Sequence, residues 1–373
     1  MLTDLDLPAL WEYRSGYQEP DDFDAFWAST LTTARASGGG ITLTPVPTEL
    51  TTIDLYDAEF AGFGGHPVRA WLRLPRTRSG PLPAVVQFHG YGSGRGGPYD
   101  DLLWASAGYA HLLMDTRGQG GAHAGGATAD PVGSGPSYPG FLTRGIEDRE
   151  TYYYRRVFTD AVRAVDAVRS LDAVDPARVA VAGNSQGAGI ALATAGLVPD
   201  LAAGYFQAPF LTDIRRALRV TATDPYAELA GYLGARRQSA ATAFTTLAYF
   251  DGVGFARRAL APAHFSTGLM DTVCPPSTAF GAYHAYRGPK RIRTWEFNGH
   301  EAGGSEDVTD VLAAFRSALD PAKAPAPGKA PLPANTPLPA NTPLPADTPP
   351  KNTPVPGNVP APRNAPAPGN EER

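Results

Sequence analysis

The 373-residue sequence predicts an α/β protein: a mostly parallel central sheet flanked by helices, with a helical cap insertion and a disordered proline-rich C-terminal tail. Three observations carry this reading. Short continuous apolar runs, among them Ala84-Val85-Val86-Gln87-Phe88 and Val179-Ala180-Val181-Ala182, read as buried strands. They alternate with segments of helical periodicity, the pattern of βαβ units. The second run ends in Gly183-Asn184-Ser185-Gln186-Gly187, which fits G-x-S-x-G, and small apolar residues follow it at helical density.

Residues 1–35 read as an N-terminal arm, with Asp21 or Asp22 capping a helix through Phe23, Phe26, Trp27 and Leu31. Two antiparallel strands follow, Leu55 to Phe60 and Val68 to Leu74, joined by a glycine-rich turn at Gly62–Gly65. The strand at residues 84–88 leads into His89-Gly90-Tyr91-Gly92. A helical segment ends at Trp104–Gly108, and Ala110 to Met114 is the next strand, closing at Asp115-Thr116-Arg117-Gly118-Gln119-Gly120. A Gly/Pro-rich loop covers residues 120–145. A helix from about Tyr152 to Leu171 presents Val157, Ala161, Val165 and Val168 on one face. After the strand–turn–helix at Ser185, Ala203 to Phe206 is a further strand.

Residues 208–260 break the alternation with helices at Ile214–Val220, Ala227–Leu233 and Ala240–Tyr249, a cap over the carboxyl ends of the strands. The alternation then resumes with a strand at Ala263–Leu269, a helix at Ser277–Tyr286, a strand at Ile292–Phe297 and a last helix at Val308–Leu319. The main domain is expected to span residues 1–320. Residues 321–373 hold 17 of the 37 prolines and repeat Pro-Leu-Pro-Ala-Asn/Asp-Thr three times. With almost nothing apolar to bury, this tail is expected to be a disordered extension leaning to polyproline II. A docking site for a proline-binding module is the sharper alternative.

A formal charge of −5 gives no reason to expect nucleic acid or an anionic membrane as partner. A single cysteine, Cys274, excludes an internal disulfide. The first 20 residues show no signal-peptide pattern, and no apolar stretch approaches membrane-spanning length, so a cytoplasmic location is the expectation.

The strand–turn–helix context turns G-x-S-x-G into a nucleophile elbow, with Ser185 exposed at a strand end and the N–H of Gln186 aimed where an oxyanion forms. An ordinary glycine-rich turn is the plainer reading of the motif. A serine nucleophile needs a base and the base an orienter, in the chain order Ser, Asp or Glu, His. His300 follows the last predicted strand and is the candidate base. His264 opens a strand, and His284 sits in a helix with an expected solvated face. Asp271 follows a strand and is the candidate orienter, against a turn-capping role before Pro275-Pro276. Tyr91 N–H is the candidate second oxyanion donor. His89 is read as support for its loop, Asp115 and Arg117 as an ion pair or loop brace, and Cys274 as a buried small residue. The bulk of Tyr91 and of Pro209-Phe210 is expected to wall the acyl pocket.

These stretches resemble the acetyl xylan esterase / cephalosporin C deacetylase family, carbohydrate esterase family 7, of the α/β-hydrolase fold. The matches run in family order from about residue 5 to 318: Asp22–Trp27, His89–Gly92, Arg117–Gly120, Gly145-Ile146 with Tyr152–Arg155, Asn184–Gly187, Pro209–Leu211, Gly268–Asp271 through Cys274–Thr278, and Gly299–Glu301. The resemblance implies a triad of Ser185, Asp271 and His300, with Tyr91 and Gln186 donating to the oxyanion. It also implies small acetylated substrates (xylo-oligosaccharides and the 3′-acetyl of cephalosporin C), no cofactor or metal, and an intracellular homo-hexamer. Arg117 to Gln119 match a structural motif of the family. Asn184 and Ala188 stand where the family usually has glycine, and Thr212 where cysteine is frequent. The tail has no family counterpart. General carboxylesterase, serine peptidase and non-catalytic binding protein on the same fold are the alternatives, the first two to be decided by the cap.

Overall fold

In the computed structural model, residues 4–133, 135, 137 and 139–320 are described, and they fall in one compact unit. The expected tail, residues 321–373, lies outside the described residues. Nine strands form one sheet: β1 (Ile41–Pro45), β2 (Ile53–Ala61), β3 (Pro67–Pro75), β4 (Leu82–Phe88), β5 (Ala110–Met114), β6 (Val174–Asn184), β7 (Ala203–Gln207), β8 (Ala263–Gly268) and β9 (Lys290–Trp295). Their spatial order is β1-β2-β3-β5-β4-β6-β7-β8-β9. The first three strands and the β3–β5 junction pair antiparallel, and every pairing from β5 through β4 to β9 is parallel. The order reverses around β4, so the loops after β4 and β6 open side by side at the carboxyl ends of the strands, where open α/β sheets carry their ligands.

The helices are α1 (Leu7–Glu12), α2 (Phe23–Ala36), α3 (Leu103–Ser106), α4 (Tyr153–Arg169), α5 (Gln186–Leu197), α6 (Ile214–Val220), α7 (Tyr226–Ala235), α8 (Ala240–Leu247), α9 (Gly252–Ala256), α10 (Pro276–Ala285) and α11 (Ser305–Ala318). The central parallel strands β4, β5 and β6 are apolar on both faces, as expected of a sheet covered by helices. Val86, Val181 and Phe88 join α4 and α5 in the main core. Val85, Ala180 and Ala182 pack on the other face with Trp104, Val311 and Phe315. The inserted helices α6 to α9 lie between β7 and β8 in the chain, as the break in alternation predicts.

Local differences from the sequence reading have local causes. Asp22 occupies the N-cap of α2 but makes no capping bond; its carboxylate pairs with Arg149 at 2.7 Å and accepts the Tyr249 hydroxyl. His284 is half-buried rather than freely solvated. The arm covers it: Trp11 packs on its ring, and its Nε2 lies 3.3 Å from the Leu10 carbonyl oxygen. His264 is half-buried on β8, where its Nδ1 accepts a 2.6 Å bond from Arg291 Nε.

Candidate active site

β6 runs into α5 through Ser185, whose φ of 55° and ψ of −121° lie where L-residues are strained. The strain is held by close backbone approach on both sides. A Cβ on Gly183 would stand 2.1 Å from the Gly187 carbonyl carbon, and one on Gly187 would stand 2.1 Å from the Phe88 carbonyl oxygen. Only glycine fits at either position. Ser185 N–H donates to Gln207 O at 2.9 Å, and Ser185 O accepts from Phe210 N at 3.1 Å. The elbow is thereby pinned to the end of β7. Asn184, one of the departures from the family pattern, is exposed, while Ala188 is fully buried in α5.

Asp271 and His300 come together on the loops after β8 and β9. His300 Nδ1–H donates to Asp271 Oδ2 at 2.8 Å. The other oxygen, Asp271 Oδ1, accepts main-chain N–H groups from Val273 at 2.8 Å and Cys274 at 2.9 Å, so the carboxylate is fixed although fully buried. The two loops approach because residue 268 is glycine: a Cβ there would lie 2.2 Å from the Gly299 carbonyl oxygen. Glu301 braces the turn by accepting from Asn298 Nδ2 at 3.0 Å and Gly299 N at 3.2 Å, and its carbonyl takes a 2.7 Å bond from Gln207 Nε2.

Gln186 is the first residue of α5, where N–H groups have no intrahelical acceptor. Its side chain is buried and fully engaged. Gln186 Oε1 accepts from Tyr154 Oη and Gln119 Nε2, each at 2.9 Å, and Gln186 Nε2 donates to Gln119 Oε1 at 3.1 Å. Gln119 Oε1 also accepts Gly92 N–H at 2.7 Å, and Gln119 Nε2 donates to Tyr153 Oη at 3.0 Å. The loop holding Tyr91 is thus tied through one glutamine to the residue beside Ser185.

Asp115 and Arg117 do not pair with each other. Asp115 is a loop brace that accepts N–H groups from Arg95, Ala127 and Thr128. Arg117 is buried and makes a two-pronged ion pair with Asp160 of α4, at 2.6 and 2.7 Å, with Asp130 at 3.4 Å. These bonds hold the end of β5 against α4. His89 supports its loop through main chain: its carbonyl accepts Gln186 Nε2 at 3.3 Å. Burial holds its imidazole pKa below the ordinary value. Cys274 is buried, its thiol is in hydrogen-bonding contact with the Ser185 side chain, and burial pushes its pKa well above the ordinary range, which keeps it a poor nucleophile.

Tyr91 stacks edge-on against Phe210, with ring centroids 6.0 Å apart, and Phe210 stacks in turn on Tyr226 of α7 at 4.6 Å. Phe210 and Pro209 are buried. The sequence reading passed over Glu228, on α7, which is bonded to the Tyr91 hydroxyl at 2.6 Å. Its signal was a lone acid in the otherwise uncharged run Tyr226–Ala235. Gln207 was also missed, and nothing in its local sequence marks it.

A model of the family described as acetyl xylan esterase (AXE1) matches residues 1–319. The acetyl esterase Axe7A of Xylanibacter ruminicola is 29% identical over 308 residues, covering 79% of this chain and 66% of the relative, so the chain spans just under two thirds of that protein's length. Among solved structures, an acetyl xylan esterase from Paenibacillus sp. R4 superposes with a TM-score of 0.78 at 36% identity, over 83% of this chain and 99% of that one. Acetyl xylan esterase 1 from Thermoanaerobacterium sp. JW/SL YS485 gives 0.77 at 33% identity, over 84% and 99%. With this fold and this extent of similarity, the chain belongs to the acetyl xylan esterase family of carboxylic ester hydrolases.

Proposed function

We propose that the protein is a serine esterase that removes acetyl groups from small acetylated carbohydrates, xylo-oligosaccharides among them, through an acetyl-enzyme intermediate. The observation that carries the reading is the 2.8 Å bond between Asp271 and His300, formed on the two strand-end loops of the sheet that also carries Ser185. Because Nδ1–H is committed to Asp271, Nε2 is the ring nitrogen left to act as base. His300 Nε2 takes the Ser185 proton as the hydroxyl oxygen attacks the acetyl carbonyl carbon. The carbonyl π pair moves onto oxygen, and the oxyanion is held by the N–H groups of Tyr91 and Gln186. Collapse expels the sugar oxygen, which takes its proton from His300. Water then attacks the acetyl-enzyme by the same path, releasing acetate and restoring Ser185. Asp271 stabilises the imidazolium in both halves.

The resemblance extends the proposal to the 3′-acetyl of cephalosporin C as a second substrate and to a cytoplasmic homo-hexamer. Tyr91, Phe210 and Tyr226 pack ring on ring beside the elbow, which supports a short acyl pocket. Forcing extra methylenes into a packed site costs about 1–3 kcal/mol, or roughly tenfold to a hundredfold in rate. Acetate esters of 4-nitrophenol are therefore expected to exceed butyrate by at least about tenfold in kcat/KM, with octanoate scarcely used. Assay of this series beside acetylated xylobiose and a short peptide amide tests the reading. A profile rising toward octanoate assigns a general carboxylesterase instead, and cleavage of the amide assigns a peptidase.

A further inference from the structure

Resting on the reading of Tyr91 N–H as an oxyanion donor, we propose that Glu228 of the cap helix α7 is a positioning residue that sets the orientation of that donor. The Tyr91 hydroxyl donates to Glu228 Oε2 at 2.6 Å and accepts the main-chain N–H groups of Phe141 at 2.5 Å and Leu142 at 3.1 Å. A phenol offers one donor and accepts through its oxygen lone pairs, so this hydroxyl is fully used. Glu228 Oε2 also accepts from Leu142 N at 3.3 Å. Three segments distant in sequence (the loop after β4, the loop at residues 139–146 and the cap) therefore meet at one oxygen atom.

The site is shaped around the carboxylate. Gly140 has a φ of +118°, and a Cβ there would stand 2.2 Å from the Glu228 carboxyl carbon and both its oxygens. The positive φ favours glycine at position 140, and a side chain there would have to displace the carboxylate. The Tyr91 ring is wedged between Phe141, with centroids 5.3 Å apart, and Phe210. On the main-chain side, the next N–H, that of Gly92, is held by Gln119. The Tyr91 peptide is gripped from its main chain by Gln119 and from its side chain by Glu228.

Tyr226, Leu229 and Tyr232 already give α7 a buried apolar face. The acid costs desolvation: Glu228 is 7% exposed, and burial raises its pKa above the ordinary range. Under the proposal, the return on this desolvation cost is geometry. The geometry here is that of a donor which works only when charge develops in the transition state.

The test uses the full chain and four variants: Glu228→Ala, Glu228→Gln, Tyr91→Phe and the double Tyr91→Phe/Glu228→Ala. Turnover of 4-nitrophenyl acetate is followed with melting temperature. Glu228→Ala and Tyr91→Phe are expected to lower kcat by about tenfold to a hundredfold, below the full loss of a donor, with KM within about twofold. Glu228→Gln keeps an acceptor for the tyrosine hydroxyl and is expected to recover most of the activity. The double variant is expected to be no worse than the poorer single one, because both delete the same bond. Additive losses, a loss confined to KM, or a lower melting temperature with unchanged kcat overturns the proposal. If Glu228→Ala does not fold, Tyr91→Phe decides it by the same loss of kcat, and Glu228→Gln by the activity it keeps. Wild-type turnover abolished by Ser185→Ala checks the underlying esterase reading separately, so failure of one is distinguishable from failure of the other.

Discussion

The side-chain amides of Gln119 and Gln186 lie face to face and exchange hydrogen bonds in both directions, at 2.9 and 3.1 Å. Gln119 reaches this position from the end of β5, across the loop that follows β4, and also holds the N–H of Gly92. It is the link between the two proposed oxyanion donors. In Gln119→Leu, the Gly92 N–H and the Gln186 amide lose a buried partner, at about 1–3 kcal/mol for each group left unsatisfied. The variant is expected to unfold at lower urea concentration and to lose kcat. Wild-type stability together with wild-type kcat would show that the amide pair does not organise the site.

Gly187 admits no side chain, since an added Cβ would lie 2.1 Å from Phe88 O, an atom of the sheet backbone. Gly187→Ala must therefore push α5 away from β4. The expected outcome is a loss of at least about 1–3 kcal/mol in stability, typical of overpacking, with turnover reduced more than KM because Ser185 moves with the helix. A fully active, fully stable Gly187→Ala protein would contradict the elbow geometry.

Arg73 is fully buried on β3, opposite His111 of β5. Among the described residues none accepts a hydrogen bond from its three guanidinium nitrogens. Burial draws its pKa down to about 10, with Asp101 and Asp100 acting only as more distant charges. Arg73→Met keeps the aliphatic stem and removes the buried charge. It is expected to stabilise the fold, within the range of about 1–4 kcal/mol found when buried ionic groups give way to apolar ones. A lower unfolding free energy in the variant would mean that attraction to the two carboxylates outweighs desolvation.

The strands and loops that carry the candidate site were legible in the sequence where local pattern decides structure. Ser185, Asp271 and His300 each follow a predicted strand, and the structure brings Asp271 and His300 into contact from the loops after β8 and β9. The bounds Ile214–Val220 of α6 agree with the periodicity reading. Strand β1 was not legible, because only Ile41 and Leu43 are even half-buried and the strand ends in Pro45 at the sheet edge. Helices α1 and α9, of six and five residues, are too short to show a period. Partners distant in sequence were invisible for a different reason. Nothing near Glu228 announces Tyr91, 137 residues away, and nothing near His284 announces the arm that covers it.

His264 gives a pH test. Its Nδ1 accepts from Arg291, and burial together with that cation lowers its pKa from 6.5 to about 4. Between those values the unfolded chain binds a proton that the folded chain refuses. The histidine therefore contributes no penalty above pH 6.5, and stability falls as the pH drops toward 4. His264→Gln offers an acceptor that does not titrate. Melting temperatures at pH 7 and about pH 4.5 are expected to differ less in the variant than in the wild type. An equal or larger drop in the variant would show that His264 titrates normally in the folded protein.

The central claim is that Ser185 is the nucleophile of an acetyl esterase, and it is tested most directly by 4-nitrophenyl acetate turnover in Ser185→Ala. The substitution removes one hydroxyl and leaves Gly183, Gly187 and the backbone contacts of the elbow in place, so the variant is expected to melt as the wild type does. Turnover is expected to fall by at least about a thousandfold. A folded Ser185→Ala protein that hydrolyses the ester at the wild-type rate would contradict the account.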